Sequence, residues 1–165
     1  MNQPNYSIWL LPSETDKLYL SQTIQPLGKK YDAPVFDPHC TLFSPITDPE
    51  SAKTIIDQLN FKPFEVTMSG LNQSDNIWKT LFIELENNAQ MTILNQLFSQ
   101  TIDFEYDFQP HISLIYKELN MNTKKTVIEK LIVKNSYRMG SIAIVDTSGP
   151  VEDWKIVYEV KLSPG

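Results

Sequence analysis

A five-residue pattern that occurs twice constrains this chain more than any other feature. The copies are residues 38–42 (Pro-His-Cys-Thr-Leu) and residues 110–114 (Pro-His-Ile-Ser-Leu), and they contain both histidines of the chain. The residues of each copy and its flanks favour extended backbone, so each copy predicts a short strand. Side chains two positions apart on a strand share a face, which places each histidine beside the hydroxyl residue of its copy.

The elements predicted around these two strands repeat in the same order. Hydrophobic periodicity, prolines and helix caps predict strand, helix, histidine strand, helix and strand in each half of the chain. Trp9 in the first strand precedes His39 by 30 positions, and Ile83 precedes His111 by 28. This repeat predicts an α+β fold of two similar lobes, related by an approximate two-fold axis, with the histidine strands facing each other across a cleft.

The predicted boundaries follow from these patterns. The first helix begins after Ser13, and we expect Pro26 to kink or end it because proline cannot donate the helical hydrogen bond. Residues 28–34 are expected to form turns. The other predicted helices are 49–59, 88–100 and one that begins near residue 123, and the predicted strands are 6–11, one ending near 43, 64–71, 80–86, one ending at 116, 136–145 and 155–162.

Two histidines that each share a strand face with a hydroxyl residue favour acid–base chemistry on a phosphodiester. Imidazole can act as an acid or a base near neutral pH, and a reaction that needs both uses two groups on either side of the reacting atom. The hydroxyls of Thr41 and Ser113 would point into the same space and donate hydrogen bonds to phosphate oxygens. We therefore predict His39 and His111 as the catalytic pair.

Other uses of these residues stay open at this stage. The histidine and hydroxyl pairs could be structural hydrogen-bonded pairs on adjacent strands. Asp37 and Asp107 could join the histidines in a metal site, although the chain has no H-x-H or HExxH pattern and Pro38 and Pro110 disturb the alternation. Cys40 could suggest a cysteine nucleophile, but adjacent strand residues face opposite ways, so we expect a buried, unreactive thiol.

The length of the chain, its cysteine content and the composition of its first residues limit the class of protein. The 165 residues predict one domain, residues 1–165, large enough to bury a core. The lone cysteine excludes an internal disulfide and fits a reducing compartment. Residues 1–12 hold no Lys or Arg, and their apolar run from Ile8 to Leu11 is too short for a signal peptide or a membrane span. We expect a cytoplasmic protein with no membrane partner.

The charge of the chain argues against long nucleic acids as partners. The formal net charge is −6 and Arg138 is the only arginine, whereas affinity for a nucleic-acid backbone comes from many basic phosphate contacts. A few aimed donors inside a cleft can still bind one or two phosphates. The charge therefore favours a nucleotide-sized substrate.

The two copies match the H-x-[ST]-x motifs of the two-histidine phosphoesterase superfamily, and the chain resembles its cyclic phosphodiesterase branch, known from plants and yeast. The likeness runs loosely over nearly the whole chain and is sharp only near a few segments. These are 6–9 (Tyr-Ser-Ile-Trp), 11–12 (Leu-Pro), 38–42, 110–116 and 118–119 (Glu-Leu).

The resemblance implies a bilobal two-histidine phosphoesterase fold without a cofactor or metal. It implies hydrolysis of nucleoside 2′,3′-cyclic phosphates to 2′-phosphates and, in this branch, of ADP-ribose 1″,2″-cyclic phosphate to the 1″-phosphate. His39 and His111 fall on the acid and base of the family, and Thr41 and Ser113 fall on its phosphate-binding hydroxyls. The redox-sensitive disulfide of the plant members is expected to be absent here, because Cys40 has no partner cysteine.

The resemblance also implies that Trp9 and Tyr116 lie next to the substrate. From the residues alone, Trp9 is as well explained by core packing and Tyr116 by packing at a strand end. Two other functions stay open: an RNA enzyme, either a 2′,3′-cyclic phosphodiesterase acting on RNA 3′ ends or a 2′,5′-ligase-like enzyme, and a non-catalytic nucleotide-binding module. We expect a monomer that takes a small cyclic phosphate.

Overall fold

Strands and helices alternate along the computed structural model, which describes residues 4–163. The described strands are β1 (Tyr6–Pro12), β2 (Cys40–Ile46), β3 (Phe64–Gln73), β4 (Leu81–Leu85), β5 (His111–Ile115), β6 (Ser136–Asp146) and β7 (Lys155–Lys161). The described α-helices are α1 (Glu14–Tyr31), α2 (Pro49–Asp57), α3 (Ala89–Thr101) and α4 (Met121–Lys130), and single turns of 3₁₀ helix lie at Ile77–Lys79 and Val151–Asp153. The ends of the expected domain, residues 1–3 and 164–165, lie outside the described residues.

The third strand of each sequence repeat belongs to the lobe that the other repeat begins. The sheet order is β2-β1-β6-β3-β4-β5 with β7 paired to β6, and every neighbouring pair is antiparallel. Strand β6, from the second repeat, completes the lobe of β1 and β2, while β3, from the first repeat, completes the lobe of β4 and β5. The predicted α+β fold of two lobes related by an approximate two-fold axis is confirmed.

Helices tie each histidine strand to the other lobe. Helix α1 of the first repeat contacts β5, and α3 of the second repeat contacts β2. The Asn95 side chain on α3 donates a hydrogen bond of 2.8 Å to the Leu42 carbonyl of β2. Both helices bury an apolar stripe at the three- and four-residue spacing of an α-helix, namely Leu20, Ile24 and Leu27 on α1 and Met91, Leu94 and Phe98 on α3. The positions of the two histidine strands are therefore coupled through the helices.

Helix α1 passes through Pro26 and ends at Asp32, whose φ of 53° is left-handed. The expectation of turns over residues 28–34 is therefore wrong for residues 28–31. Pro26 and Gln22, whose carbonyl loses its helical donor, are both exposed, so water can replace the missing hydrogen bond. The burial of Leu27 beyond the proline favours continuation of the helix.

The strand pairing aligns the two repeats one residue differently from the alignment that the sequence spacing indicated. Trp9 of β1 pairs with Thr41, whereas Phe82 of β4 pairs with Ser113. Phe82 is therefore the counterpart of Trp9, and Ile83, which the sequence spacing had aligned with Trp9, is a fully buried core residue. Both strand pairs have an irregularity at the same place, between Ile8 and Trp9 and between Leu81 and Phe82, and a hydrophobic pattern cannot reveal which residues pair.

None of the helices within residues 4–163 is long and apolar enough to cross a membrane.

Replacing the proline inside α1 should stabilise the protein. In Pro26→Ala the helix regains one backbone donor and a good helix former, and we expect the free energy of unfolding to rise by about 1 to 3 kcal/mol. Urea denaturation measures the change. Pro34→Ala, in the coil before β2, is the matched control and should lower stability by less than about 1 kcal/mol, because the unfolded chain gains freedom. A lower unfolding free energy for Pro26→Ala would contradict this account of α1.

Candidate active site

A cleft of about 660 Å³ contains every residue that the sequence proposed for the site. His39 directly precedes β2 and His111 is the first residue of β5, so the two repeats present their histidines at equivalent positions. The alternation of β2 and β5 then turns Thr41 and Ser113 into the same space. Trp9 from β1 and Tyr116, just after β5, complete the predicted set.

Both imidazoles are anchored in the same way. The Nδ1–H of His39 donates to the carbonyl of Asp37 at 2.7 Å, and the Nδ1–H of His111 donates to the carbonyl of Gln109 at 2.7 Å. Each carbonyl lies two residues before its histidine. With Nδ1 protonated, the neutral ring carries its lone pair on Nε2, so each histidine has Nε2 as its titrating atom.

The surroundings of the two rings are unequal. His39 is only 5% exposed, and its ring stacks on Trp9 with a centroid separation of 3.4 Å and an interplanar angle of 7°. His111 is half-buried and meets the edge of Phe82 at 5.5 Å. The approximate symmetry of the fold therefore does not extend to solvent access.

The two histidines differ in pKa because they are buried to different extents. Desolvation lowers the pKa of His39 to about 3, the positive charge of His111 lowers it as well, and the hydrogen bond to Asp37 opposes both effects. Desolvation also lowers the pKa of His111, with the Gln109 carbonyl opposing and the Lys79 charge reinforcing the shift. His111 is less deeply buried, so it is the ring that takes up a proton more readily.

Tyr116 joins the two halves of the site. Its hydroxyl lies 3.4 Å from Nε2 of His39 and can donate to that lone pair. The ring is only 7% exposed and stacks on Phe36 with centroids 4.0 Å apart. Burial raises the pKa of Tyr116 well above its ordinary value, so the hydroxyl stays protonated and keeps its role as a donor.

The two hydroxyls differ in their partners. The Ser113 hydroxyl donates to the carbonyl of Trp78 at 2.6 Å and is 4% exposed. Thr41 is half-buried in the cleft, and among the described residues its hydroxyl has no hydrogen-bond partner. A hydroxyl has a single proton to donate. Thr41 is therefore free to donate to a bound anion, whereas Ser113 must first release the Trp78 carbonyl.

Trp9 lies at the base of the cleft, between two aromatic rings. His39 covers one side of it, and Trp154 meets it edge-on at 5.9 Å. Only 3% of Trp9 is exposed. Trp9 is therefore both a core residue and a cleft residue, because it is buried and also lines the cleft.

Sequence reasoning missed three residues at the rim. Trp78 is 50% exposed and stacks on Trp154 with centroids 5.7 Å apart. Lys79 follows Trp78 in the 3₁₀ turn that precedes β4, and its side chain also lines the cleft. All three lie in connections without a hydrophobic period, and the only available signal was the occurrence of two tryptophans in otherwise polar loops.

A buried lysine holds the rim segment in place. Lys124 of α4 is 1% exposed, and its ammonium donates to the Ser74 carbonyl at 3.0 Å and to the Asp75 carboxylate at 3.1 Å. The segment that begins with these residues carries Trp78, whose carbonyl accepts the Ser113 hydrogen bond. Helix α4 therefore anchors one wall of the cleft.

The structure also bears on the alternative uses of these residues. Cys40 is fully buried and burial raises its pKa to about 12, so the expectation of a buried thiol is confirmed. The Asp107 carboxylate accepts a hydrogen bond of 2.7 Å from the Gln109 side chain. Among the described residues, no cluster of three or more histidine, cysteine, aspartate or glutamate side chains has a geometry that could hold a metal ion.

Comparison with known proteins agrees with this fold and cleft. A sequence model of the family described as "Cyclic phosphodiesterase-like protein" matches residues 5–162. The cyclic phosphodiesterase of Arabidopsis thaliana is 22% identical over 173 residues, which cover 96% of this chain and 96% of that protein.

Solved structures share the fold at lower identity. Escherichia coli LigT in complex with 3′-AMP has a TM-score of 0.63 and 12% identity, over 97% of this chain and 99% of LigT. Kluyveromyces marxianus Usb1 has a TM-score of 0.52 and 8% identity, over 94% of this chain and 98% of Usb1.

The family match and the curated relative, together with the two histidine motifs in one cleft, identify the chain as a two-histidine phosphoesterase. The chain belongs to the cyclic phosphodiesterase-like family, and it is an enzyme of the cyclic phosphodiesterase branch.

The buried histidine should make stability depend on pH. The folded-state pKa of His39, about 3, lies below its unfolded value, so the unfolded chain binds more protons as the pH falls from 6.5. In His39→Phe this loss disappears, and by about pH 4.5 the wild type should have lost about 2 to 3 kcal/mol more stability than the variant, relative to neutral pH. Urea unfolding at a series of pH values measures the difference.

His111→Phe is the matched control. Because His111 is half-buried, we expect this second variant to flatten the pH dependence less than His39→Phe does. Parallel stability curves for the wild type and His39→Phe would contradict the burial account.

Proposed function

We propose that the enzyme hydrolyses nucleoside 2′,3′-cyclic phosphates to 2′-phosphates, with His39 and His111 as base and acid. The observation that carries the proposal is the matched anchoring of the two imidazoles in one cleft, each with Nδ1 bound to a carbonyl two residues earlier. This arrangement leaves Nε2 of both rings to exchange protons with a substrate. A reaction that needs a base and an acid on opposite sides of phosphorus fits such a pair.

The unequal burial of the rings favours one assignment of roles. The productive state needs the base neutral and the acid protonated, and that state predominates when the base has the lower pKa. His39 is the more buried ring and has the lower pKa. We therefore assign His39 as the base and His111 as the acid, a distinction that the near-symmetric sequence repeats left open.

The reaction proceeds by in-line displacement at phosphorus. A water molecule gives a proton to Nε2 of His39 as its oxygen forms the new bond to phosphorus. The bond between phosphorus and the ribose 3′ oxygen breaks, and Nε2 of His111 gives its proton to that oxygen. The phosphate is left on the 2′ oxygen, with one water consumed and no other reactant.

Neighbouring groups stabilise the negative charge of the phosphate. The unpartnered Thr41 hydroxyl donates directly to a non-bridging oxygen, and Ser113 can do so after it releases the Trp78 carbonyl. Trp9 holds the His39 ring in position by stacking. Tyr116 fills the position next to Nε2 of His39 in the free enzyme and donates to the phosphate once water occupies that nitrogen.

A nucleotide-sized substrate suits the dimensions and charge of the cleft. The exposed Trp78 and its partner Trp154 offer an aromatic surface for a base, and base stacking on such rings is typically favourable. The net charge of −6 disfavours a long RNA. ADP-ribose 1″,2″-cyclic phosphate, opened to the 1″-phosphate, is a second proposed substrate. The nucleotide complex of LigT and the name of the Arabidopsis relative support this class of substrate.

Product analysis tests the function directly. The wild type should convert adenosine 2′,3′-cyclic phosphate to the 2′-phosphate, and His39→Ala and His111→Ala should each lower kcat by about 10² to 10⁴, the usual contribution of a positioned acid or base. Phosphorus NMR identifies the phosphomonoester, and ADP-ribose 1″,2″-cyclic phosphate and a short RNA with a cyclic 3′ end are tested separately.

Thr126→Ala is the control for these variants, because Thr126 is an exposed residue of α4 whose hydroxyl bonds within the helix. It should keep wild-type activity. Wild-type rates in either histidine variant would defeat the proposal. Tight nucleotide binding without turnover in the wild type would favour a binding module.

The pH dependence of kcat/KM tests the two pKa values on which the assignment of roles rests. This ratio reports the free enzyme, so it should fall as the pH rises through the pKa of His111, which burial holds below its ordinary 6.5. The acid limb should lie near the pKa of His39, about 3. Initial rates over the range in which the protein stays folded give the profile. An alkaline limb above pH 7 would contradict the lowered pKa of His111.

A further inference from the structure

The strand pairing makes Ser44 the counterpart of Tyr116. Ser44 lies three residues after Thr41. Tyr116 likewise lies three residues after Ser113. The residues between pair in the same way in both repeats, because both strand pairs have an irregularity at the same place. Ser44 and Tyr116 both line the cleft, so the first repeat has a hydroxymethyl group at the position where the second repeat has a phenol ring.

This difference leaves more room beside His111 than beside His39. The hydroxyl of Tyr116, from the second repeat, lies 3.4 Å from Nε2 of His39, from the first repeat. By the approximate two-fold relation of the lobes, Ser44 holds the corresponding place beside His111. A serine fills much less of that place, which agrees with the exposure of the two rings: His39 is 5% exposed, whereas His111 is half-buried. The cleft can therefore take a larger group at His111 than at His39.

A short network of hydroxyl groups continues from Ser44 along this end of the cleft. The hydroxyls of Ser44 and Ser7 are hydrogen-bonded at 2.7 Å, and the Ser7 hydroxyl also contacts that of Thr147 at 3.4 Å. All three side chains line the cleft, and Ser7 is only 6% exposed. Ser7 shares a face of β1 with Trp9 and lies about 7 Å from it along the strand. A sugar ring can span that distance from the phosphate-binding residues to the network.

The Ser44 hydroxyl keeps the capacity to bind a ligand. Among the described residues, its one hydrogen-bond partner is Ser7. A hydroxyl has one proton and two lone pairs, so Ser44 can still accept a hydrogen bond, and it can also donate one when Ser7 is the donor between them. The three hydroxyl residues carry no charge. The network is therefore suited to a neutral group that both donates and accepts, such as a sugar hydroxyl.

The proposed reaction puts the sugar at this end of the cleft. His39 takes a proton from water, which is small, whereas His111 protonates the 3′ oxygen, which is part of the ribose. The ribose of a 2′,3′-cyclic phosphate would therefore lie on the His111 side. Its free hydroxyl is the one on the 5′ carbon.

We propose that Ser44, held by Ser7, binds the 5′-hydroxyl of the substrate ribose, and that this end of the cleft is the sugar subsite. The inference rests on the proposed function and adds the group that the enzyme recognises beyond the cyclic phosphate. Ser44 is a specificity residue, because it contacts a part of the substrate that does not react.

The test compares two substrates that differ by one hydroxyl. These are adenosine 2′,3′-cyclic phosphate and 5′-deoxyadenosine 2′,3′-cyclic phosphate. The wild type should have a kcat/KM about 3- to 10-fold higher for the first, the usual net effect of one hydrogen bond. In Ser44→Ala the two substrates should react with equal kcat/KM. Because each ratio is measured on one protein, any loss of folded enzyme cancels.

Ser99→Ala is the matched control, because Ser99 is exposed on α3 and its hydroxyl bonds within the helix. It should keep the wild-type ratio. The proposal is overturned if the wild type does not distinguish the two substrates. It is also overturned if Ser44→Ala keeps the wild-type ratio, whatever its absolute rates, since Ser44 would then support the strands without contacting the sugar.

A binding measurement separates this proposal from the proposed function. Calorimetry compares adenosine 2′-phosphate with 5′-deoxyadenosine 2′-phosphate, neither of which has a cyclic phosphate to open. The wild type should bind the first more tightly, and Ser44→Ala should bind the two equally. If the wild type hydrolyses neither cyclic substrate but keeps this difference in binding, the proposed reaction fails and the sugar subsite stands. Equal binding of both ligands to the wild type refutes the subsite whatever the activity.

Discussion

The pairing of β6 with strands of both lobes is the constraint on which the site depends. Residues 139–146 of β6 pair with β1, and residues 136–139 pair with β3. Since β2 is paired with β1, and β5 reaches β3 through β4, this one strand connects both histidine strands through continuous hydrogen bonding. The packing of α1 on β5 and α3 on β2 adds a second connection, made of apolar contacts. The proposed action of two imidazoles on one phosphate needs such a rigid frame.

The frame is nearly symmetric, but the chemistry requires asymmetry. Two identical imidazoles would share a single proton equally, so neither ring would be fixed as the base or as the acid. The protein separates them by burial: Trp9 stacks on the face of His39, whereas its counterpart Phe82 makes a T-shaped contact with His111. The larger aromatic residue thus excludes water from one ring. The ammonium of Lys79 lies over the Phe82 ring, 4.5 Å from its centre.

Much of the fold could be predicted from the sequence because the repeat is visible in local patterns. Helix periodicity located α1 and α3, and alternation located the strands, since both depend on residues close together in the chain. The sequence-based predictions were wrong where the local structure depends on residues that are distant in the chain. Leu27 is buried by tertiary packing, and this burial outweighed the tendency of Pro26 to end α1. The pairing of Phe82 with Ser113, which moves the repeat alignment by one residue from the sequence spacing, depends on the neighbouring strand.

The sequence by itself determined which residues share a strand face in the candidate site: the spacing of His39 from Thr41 and of His111 from Ser113 places each pair on one face, because side chains alternate on any strand. Only the tertiary structure decided the states of these groups. The low pKa of His39 and the commitment of the Ser113 proton to the Trp78 carbonyl arise from atoms thirty or more residues away in the chain. Trp78, Lys79 and Trp154 reach the cleft from loops, whose positions no periodic pattern specifies. Desolvation and contact depend on which surfaces meet, and that is a property of the folded chain.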